Sequence, residues 1–281
     1  MRFSNVFTAL AVATAFQLLG TEKLLATEKA YTIVGLAPDN ILVRFDTDSR
    51  RSNSPISVTG LGGDDLQCID FRPANGKLYG LTDADKIYTI NLTTGAATFV
   101  STLNISFNGG FQSGCDFNPV VDRLRVVGSN DQNFRINVDT GAVATLPGAA
   151  ANTSDTPLAY AAGDANAGVD PNITGAAYTN SFAGPPATTR TTVLYGIDYD
   201  LNVLVTQNPP NAGTLNTVGS LGVNFDPIGG FDIFSPSAGN NVAFAVSSAN
   251  VYTINLATGA ATNLGNLSRS GFIGLAVTVK N

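Results

Sequence analysis

The 281-residue chain carries a formal charge of −6, an isoelectric point near 4.5 and no basic cluster longer than Arg50-Arg51, a balance that argues against nucleic acid as a partner. It contains no His and no Trp, Met1 is its only Met, and its only Glu residues are Glu22 and Glu28. These absences remove His-based acid/base chemistry, Ser-His-Asp and Cys-His nucleophiles, His-bound zinc or copper, and haem, and leave Asp as the only acidic side chain beyond Glu28, at the start of the mature chain.

The N-terminal stretch MRFSNVFTALAVATAFQLLG places Arg2 before an apolar run too short and too interrupted to span a membrane, and reads as a secretory signal. Cleavage after Ala26 fits better than after Ala15, because regular patterning begins at Tyr31. The expectation is an exported protein, periplasmic or extracellular, with a signal peptide over 1–26, no membrane span and a monomeric mature chain over 27–281.

From Ala30 onward three short elements recur five times. A first-strand motif of small, apolar, Asp or Ala, apolar residues appears as CIDF at 68, GCDF at 114, GAAY at 175, GFDI at 230 and GLAV at 274. A second element follows it: KLYGLT at 77, RLRVVG at 123, VLYGID at 193 and NVAFAV at 241, with AYTIVG at 30 in the same role. The third begins at Val43, Tyr88, Phe134, Leu204 and Tyr252, at intervals of 45, 46, 70 and 48 residues, and includes the near-duplicates YTINLTTGAAT and YTINLATGAAT. Each segment is short, rich in Val, Ile, Tyr, Phe and Thr, and bounded by Gly, Pro, Asn or Asp, the signature of strands. Turns ending in Thr-Gly, as at Asn91–Gly95 and Val138–Gly141, supply the positive φ that a tight hairpin needs.

Four-stranded units at this period predict an all-β, five-bladed β-propeller with little or no helix. The GLAV element has no successors and the AYTIVG element no predecessor, so the C-terminal strand is expected to close the first blade. The expected blades are 271–281 with 30–62, then 66–103, 111–147, 172–220 and 227–268, with an insertion over 148–192. A β-sandwich would not produce five equivalent triplets, and the surplus in the long interval is about half a blade, which favours an insertion over a sixth blade.

Chemistry is sought where the copies differ. In the first-strand motif Asp70, Asp116 and Asp232 occupy three blades, whereas Ala177 and Ala276 occupy the other two. First strands line a propeller's channel, so three carboxylates near the axis suggest a cation site, calcium being the candidate, or an anchor for a small ligand. The structural alternative is that each accepts backbone N–H bonds from the next blade. A second candidate metal set is Asp164, Asn166 and Asp170 in GDANAGVDPN, at positions 1, 3 and 7 of a calcium-loop spacing that lacks its terminal Glu. The alternative there is a loop of Asx turns. Arg72, Arg123, Arg125 and Arg135 form either an anion-binding patch or ion pairs with Asp122, Asp131 and Asp139. Glycosidase chemistry would need a carboxylate pair without Glu and without a Trp platform, and no phosphate loop precedes a helix, so no catalytic residue is assigned. Cys68 and Cys115 fall at successive positions on neighbouring first strands, facing each other or back to back, and buried free thiols are the favoured arrangement.

The motifs IDFRPANGKLYGLT, CDFNPVVDRLRVVGSNDQNFRINVDTGA, AYAAGDANAG, AAYTNSFAG and LYGIDYDLNVLVTQNPPNAGTLNTVGSLG resemble a bacterial exported family, domain-of-unknown-function family 4394, over about 31–279. The resemblance implies a propeller and brings no activity and no catalytic residues. The functional expectation is a binding or interaction module for an unknown protein, glycan or small molecule, with a bound cation. Its rivals are an Asp-dependent, metal-assisted hydrolase or lyase at the axial mouth, using Asp70, Asp116 and Asp232, and a structural envelope or matrix protein.

Overall fold

The computed structural model describes residues 30–49, 51–52, 54–151, 153–267 and 269–280; the signal-peptide reading of 1–26 lies outside them. Five antiparallel sheets, one per blade, surround a central axis. Their inner strands are Gly274–Val279, Leu66–Phe71, Ser113–Asn118, Ile173–Tyr178 and Gly229–Ser237. The first blade joins the two ends of the chain: Gly274–Val279 pairs antiparallel with Tyr31–Ala37, Tyr31 opposite Val279, and Ile41–Asp46 follows. That closure leaves no blade edge open at the ring's seam. Among the described residues the only helical element is the 3₁₀ turn Pro210–Ala212.

The strand pattern follows from where each strand sits. Inner strands are covered on both faces by neighbouring blades, and Ile173–Tyr178 is buried at every position. Outer strands such as Ala97–Thr102 are mostly exposed or half-buried, with only Ser101 buried. Between blades two and three the filling consists of Leu81, Ile87, Phe107, Phe117, Val126 and Phe134, with Cys68 and Cys115 at the axial end. Burial of that kind is worth roughly 1.5–3 kcal/mol per large side chain. Inner strands also approach closely enough to demand glycine: a Cβ on Gly114 would lie 2.6 Å from the Ala176 amide nitrogen of the next blade.

The duplicated YTIN…TGAAT segments are a scaffold device. In blade two the turn after Lys86–Ile90 reaches the preceding blade: Thr59 N–H donates to Gly95 O (2.9 Å) and Ala97 N–H to Thr59 O (2.8 Å). Gly95 holds φ at 74°, and a Cβ there would sit 2.1 Å from Ser57 O. Gly141 in blade three and Gly259 in blade five repeat the arrangement against Thr102 and Gly219. Each turn thus staples its blade to the preceding one, which explains why the sequence repeats it.

The extra length of blade four divides on either side of its inner strand. Upstream, Ala159–Tyr160 adds a short parallel strand outside Thr214–Ser220, and the Tyr160 hydroxyl donates to Asp198 (2.7 Å). Downstream, residues 179–193 form a loop over one end of the channel. Its Asn180 and Ser181 amides donate to Asn241 Oδ1 and Ser235 Oγ of blade five (2.8 and 3.1 Å), and its Gly184 amide reaches Pro73 O of blade two (3.0 Å).

Candidate functional site

The channel is closed along most of its length. Its middle, between Ile69, Gly114, Gly175, Phe231 and Leu275, encloses only about 10 Å³. At the end where the inner strands begin, the buried Gln112 amide crosses the axis and donates to the carbonyls of Ser113, Gly229 and Ile273 at 3.0, 3.3 and 2.7 Å. At the opposite end the strands open into a cup of about 320 Å³. Its walls include Phe71, Ile233, Phe234, Val277 and Val279, the loop residues Ser181 and Ala183 reach over it, and Asp70, Asp116 and Asp232 contribute to its floor.

The three carboxylates meet. One oxygen from each lies within 4.8 Å of the other two, and the side chains are buried. Each is also tied to the next blade around the ring. Asp70 Oδ2 accepts from Phe117 N (2.8 Å), Asp116 Oδ2 from Tyr178 N (3.1 Å), and Asp232 Oδ2 from Val277 N (2.6 Å). Asp70 Oδ1 takes a further amide, Phe71 N, at 2.6 Å. The backbone-bonded arrangement and the converging one therefore coexist: amides fix one side of each carboxylate while the group as a whole faces the axis. Ala177 and Ala276, fully buried, hold the equivalent places in the other two blades and contribute no carboxylate.

The electrostatics of this floor are unfavourable for three ionised groups. Burial first, then the charge of Asp232, pushes Asp70 well above the usual carboxylate range. Burial, then the charges of Asp70 and Asp232, does the same to Asp116. Asp232, where amide bonds and the Asp116 side chain offset part of the cost of burial, is raised by burial to about 6. Asp116 Oδ1 is buried and receives no donor at all, although the Asp232 carboxyl lies within hydrogen-bonding reach. Two facing acceptors in a dry site are reconciled only by a proton or a cation between them.

The other sequence candidates have different fates. Asp164 is committed to the outer strand of blade four: its oxygens accept from Thr217 N (2.6 Å), Thr217 Oγ1 (2.8 Å) and Asn166 N (2.9 Å). The Asn166 side-chain amide also donates to Thr217 Oγ1, and Asp170 lies against Asp131 instead. Among the described residues, the axial trio is the one group of three or more such side chains placed to share a metal ion. Of the four arginines, Arg72, Arg125 and Arg135 make ion pairs. Arg72 grips both Asp122 and Asp139 through paired nitrogens (2.6–2.8 Å) and lies 5.6 Å from the Tyr79 ring centre. Arg125, buried, and Arg135 converge on Asp155, a fully buried residue that no motif marks. Arg123 donates to the carbonyls of Val121 and Asp122.

The favoured reading of the cysteines is corrected. Cys68 and Cys115 form a disulfide between the inner strands of blades two and three, with Cα atoms 6.0 Å apart. A register shift lies between Leu66 and Cys68, as one does between Ile173 and Gly175 in blade four, and both sulfurs point into the same interblade core. Bulges turn side chains relative to a regular strand and leave no mark in short motifs.

The model of a family described as Domain of unknown function (DUF4394) matches residues 41–276. A search of curated proteins found none that matches. Similar solved structures include a nidogen/laminin complex, at 12% identity and TM-score 0.45, covering 88% of this chain and 85% of that one. Glutaminyl cyclase of Myxococcus xanthus matches at 14% identity and TM-score 0.45, covering 86% and 83%. A protein of unknown function from Bacteroides caccae matches at 9% identity and TM-score 0.41, covering 83% and 72%. Likeness at this level says nothing of ligand or chemistry.

Proposed function

The chain belongs to the DUF4394 family, whose description assigns no activity, and from that premise we propose that it is a binding module that seats a positively charged group at the axial mouth. The observation that carries this reading is Asp116 Oδ1: a buried acceptor without a donor, beside two further buried carboxylates, at the bottom of a cup lined largely by apolar side chains. Buried polar atoms normally find partners, so Asp116 Oδ1, with the Asp232 carboxyl within hydrogen-bonding reach, calls for a proton or a cation between the two. Strands of the propeller are occupied with packing, whereas the loop 179–193 and the strand ends around the cup are free to set specificity.

Calcium is the metal that the donor set suits. Oxygens up to 4.8 Å apart can lie on opposite sides of an ion with 2.3–2.6 Å bonds. The size and blind end of the cup favour a small ligand over a protein or glycan chain. Export is part of the same proposal. The apolar N-terminal stretch and the Cys68–Cys115 bond both suit an oxidising compartment, and no helix among the described residues is long and apolar enough to cross a membrane.

Thermal melting of the mature protein with calcium chloride, with a chelator, and with organic cations tests the reading. At a hundred times its dissociation constant a seated cation adds about 2.7 kcal/mol, a rise of roughly 5–10 °C for a domain of this size. The rise should vanish in the D70N/D116N/D232N variant. A melting temperature indifferent to every cation would refute the proposal.

A further inference from the structure

Resting on the reading of the three carboxylates as a cation seat, we propose that the cup takes a primary ammonium group carried on a short apolar chain. Two features separate this ligand from a bare metal ion. The first is the number of acceptors. Calcium wants six to eight oxygens, whereas the floor offers three carboxylates, four of whose oxygens already accept amide bonds. The side chains above them are mainly apolar apart from Arg72, whose guanidinium is held by Asp122 and Asp139, and the nearby hydroxyl of Ser235 is engaged with Asn241 and Ser181. An ammonium group has three N–H donors and no further demand. Three acceptors within 4.8 Å of one another suit its hydrogen bonds of about 2.8 Å.

The second feature is the wall. Phe71, Phe234 and Val279 line the cup beside the carboxylate floor, while the lining residues Ile233 and Val277 belong to the interblade cores. A hydrated ion gains nothing from such a wall, whereas an alkyl chain anchored at the floor would be dried by it. The volume of about 320 Å³ equals the share of about ten water molecules in the liquid, enough for an amine of several carbons. The loop from Asn180 to Gly184, bridging blades five and two across the rim, narrows the entrance and favours a free amine over a lysine presented by a folded protein. Charge is balanced without a further counter-ion: one ammonium replaces the proton that otherwise reconciles Asp116 with Asp232.

Calorimetric titration of n-propyl-, n-butyl- and n-pentylammonium chloride into the wild-type protein provides the test, with n-pentanol, tetramethylammonium chloride, calcium chloride and the peptide acetyl-Gly-Lys-Gly-amide as comparisons. The expected result is one site per chain and a dissociation constant that falls about fourfold per methylene, the equivalent of about 0.8 kcal/mol. n-Pentanol should show no saturable binding, because it leaves the carboxylates unpaired, and tetramethylammonium should bind at least tenfold more weakly, because it has no donor. D116N, checked for folding by its melt, should lose at least tenfold in affinity for n-pentylammonium. The chain-length series needs only the wild-type protein, so it decides the matter even where the variant fails to fold. Calcium binding without amine binding overturns the ammonium assignment and leaves the cation seat standing; no binding of either overturns both. Affinity independent of chain length, n-pentanol binding as tightly as the amine, or tighter binding of the lysine peptide also overturns the assignment.

Discussion

Raising the pH from 5 to 8 should destabilise the unliganded protein, against the common trend for proteins rich in surface carboxylates. Asp232 is held at about 6 in the fold against an ordinary 3.8. Between those values the folded protein binds more protons than the unfolded chain, so the stabilisation is complete below the unfolded pKa and is lost as pH rises through the folded one. The full shift of about two units is worth about 3 kcal/mol, and about half of it falls between pH 5 and 8. At about 2–4 °C per kcal/mol, Asp232 alone should lower the melting temperature by about 3–6 °C over that range. Asp70 and Asp116, raised for the same reason, extend the loss in the same direction. Starting at pH 5 avoids the opposite contribution of Asp139, which the Arg72 guanidinium holds below the usual range and which loses its stabilisation only in stronger acid. Melts followed by circular dichroism should show the decline in the wild type and a shallower slope in D70N/D116N/D232N. The variant retains the share of Asp131, raised to about 6 by burial and by Asp170. A wild-type melting temperature that is flat or rises from pH 5 to 8, with the same profile in the variant, would show that the trio carries no ionisation penalty.

Three further outcomes are expected. Asp155→Ala removes the shared partner of Arg125 and Arg135 and leaves the Arg125 guanidinium buried with only neutral acceptors; breaking a buried pair in this way costs about 3–5 kcal/mol, measurable by urea denaturation. The double substitution Cys68→Ser and Cys115→Ser opens a cross-link across 47 residues of sequence and should cost about 4 kcal/mol by the chain-entropy relation, with wild-type protein in reductant moving the same way. Gly141→Ala should destabilise more than Gly62→Ala, although both glycines have positive φ, because the Gly141 methyl would meet Thr102 O at 1.9 Å and the Gly62 methyl would meet nothing. The second substitution should cost only the left-handed backbone penalty of about 1–2 kcal/mol.

The parts of this fold that were legible in the sequence are those governed by local chemistry. Thr-Gly turns, apolar segments of strand length and the unmatched strands at the two ends determine blade number and closure. The axial position of Asp70, Asp116 and Asp232 was legible too, because one strand motif carries all three. What local pattern cannot carry is orientation and long-range pairing. The facing of the cysteines is accompanied by a register shift near Cys68. Asp155 lies in the extra length of blade four, where no repeat unit announces its two arginine partners. The calcium-like spacing of Asp164, Asn166 and Asp170 was a local pattern without a local cause: Thr217, 53 residues beyond Asp164, supplies the partner that Asp164 and Asn166 share. The coexistence of amide bonding and convergence in the trio needed the ring geometry, in which each carboxylate reaches the following blade while remaining close to the axis.

The central claim, a cation seated on three buried carboxylates, is tested most directly by titrating n-pentylammonium chloride and, separately, calcium chloride into wild-type protein at pH 7.5, in two buffers of different ionisation enthalpy. At least one cation should bind once per chain with a heat that depends on the buffer, because seating it expels a proton from the trio, and D70N/D116N/D232N should give neither the binding nor the buffer dependence. Absence of saturable heat with both cations, or identical isotherms for wild type and variant, would contradict the account.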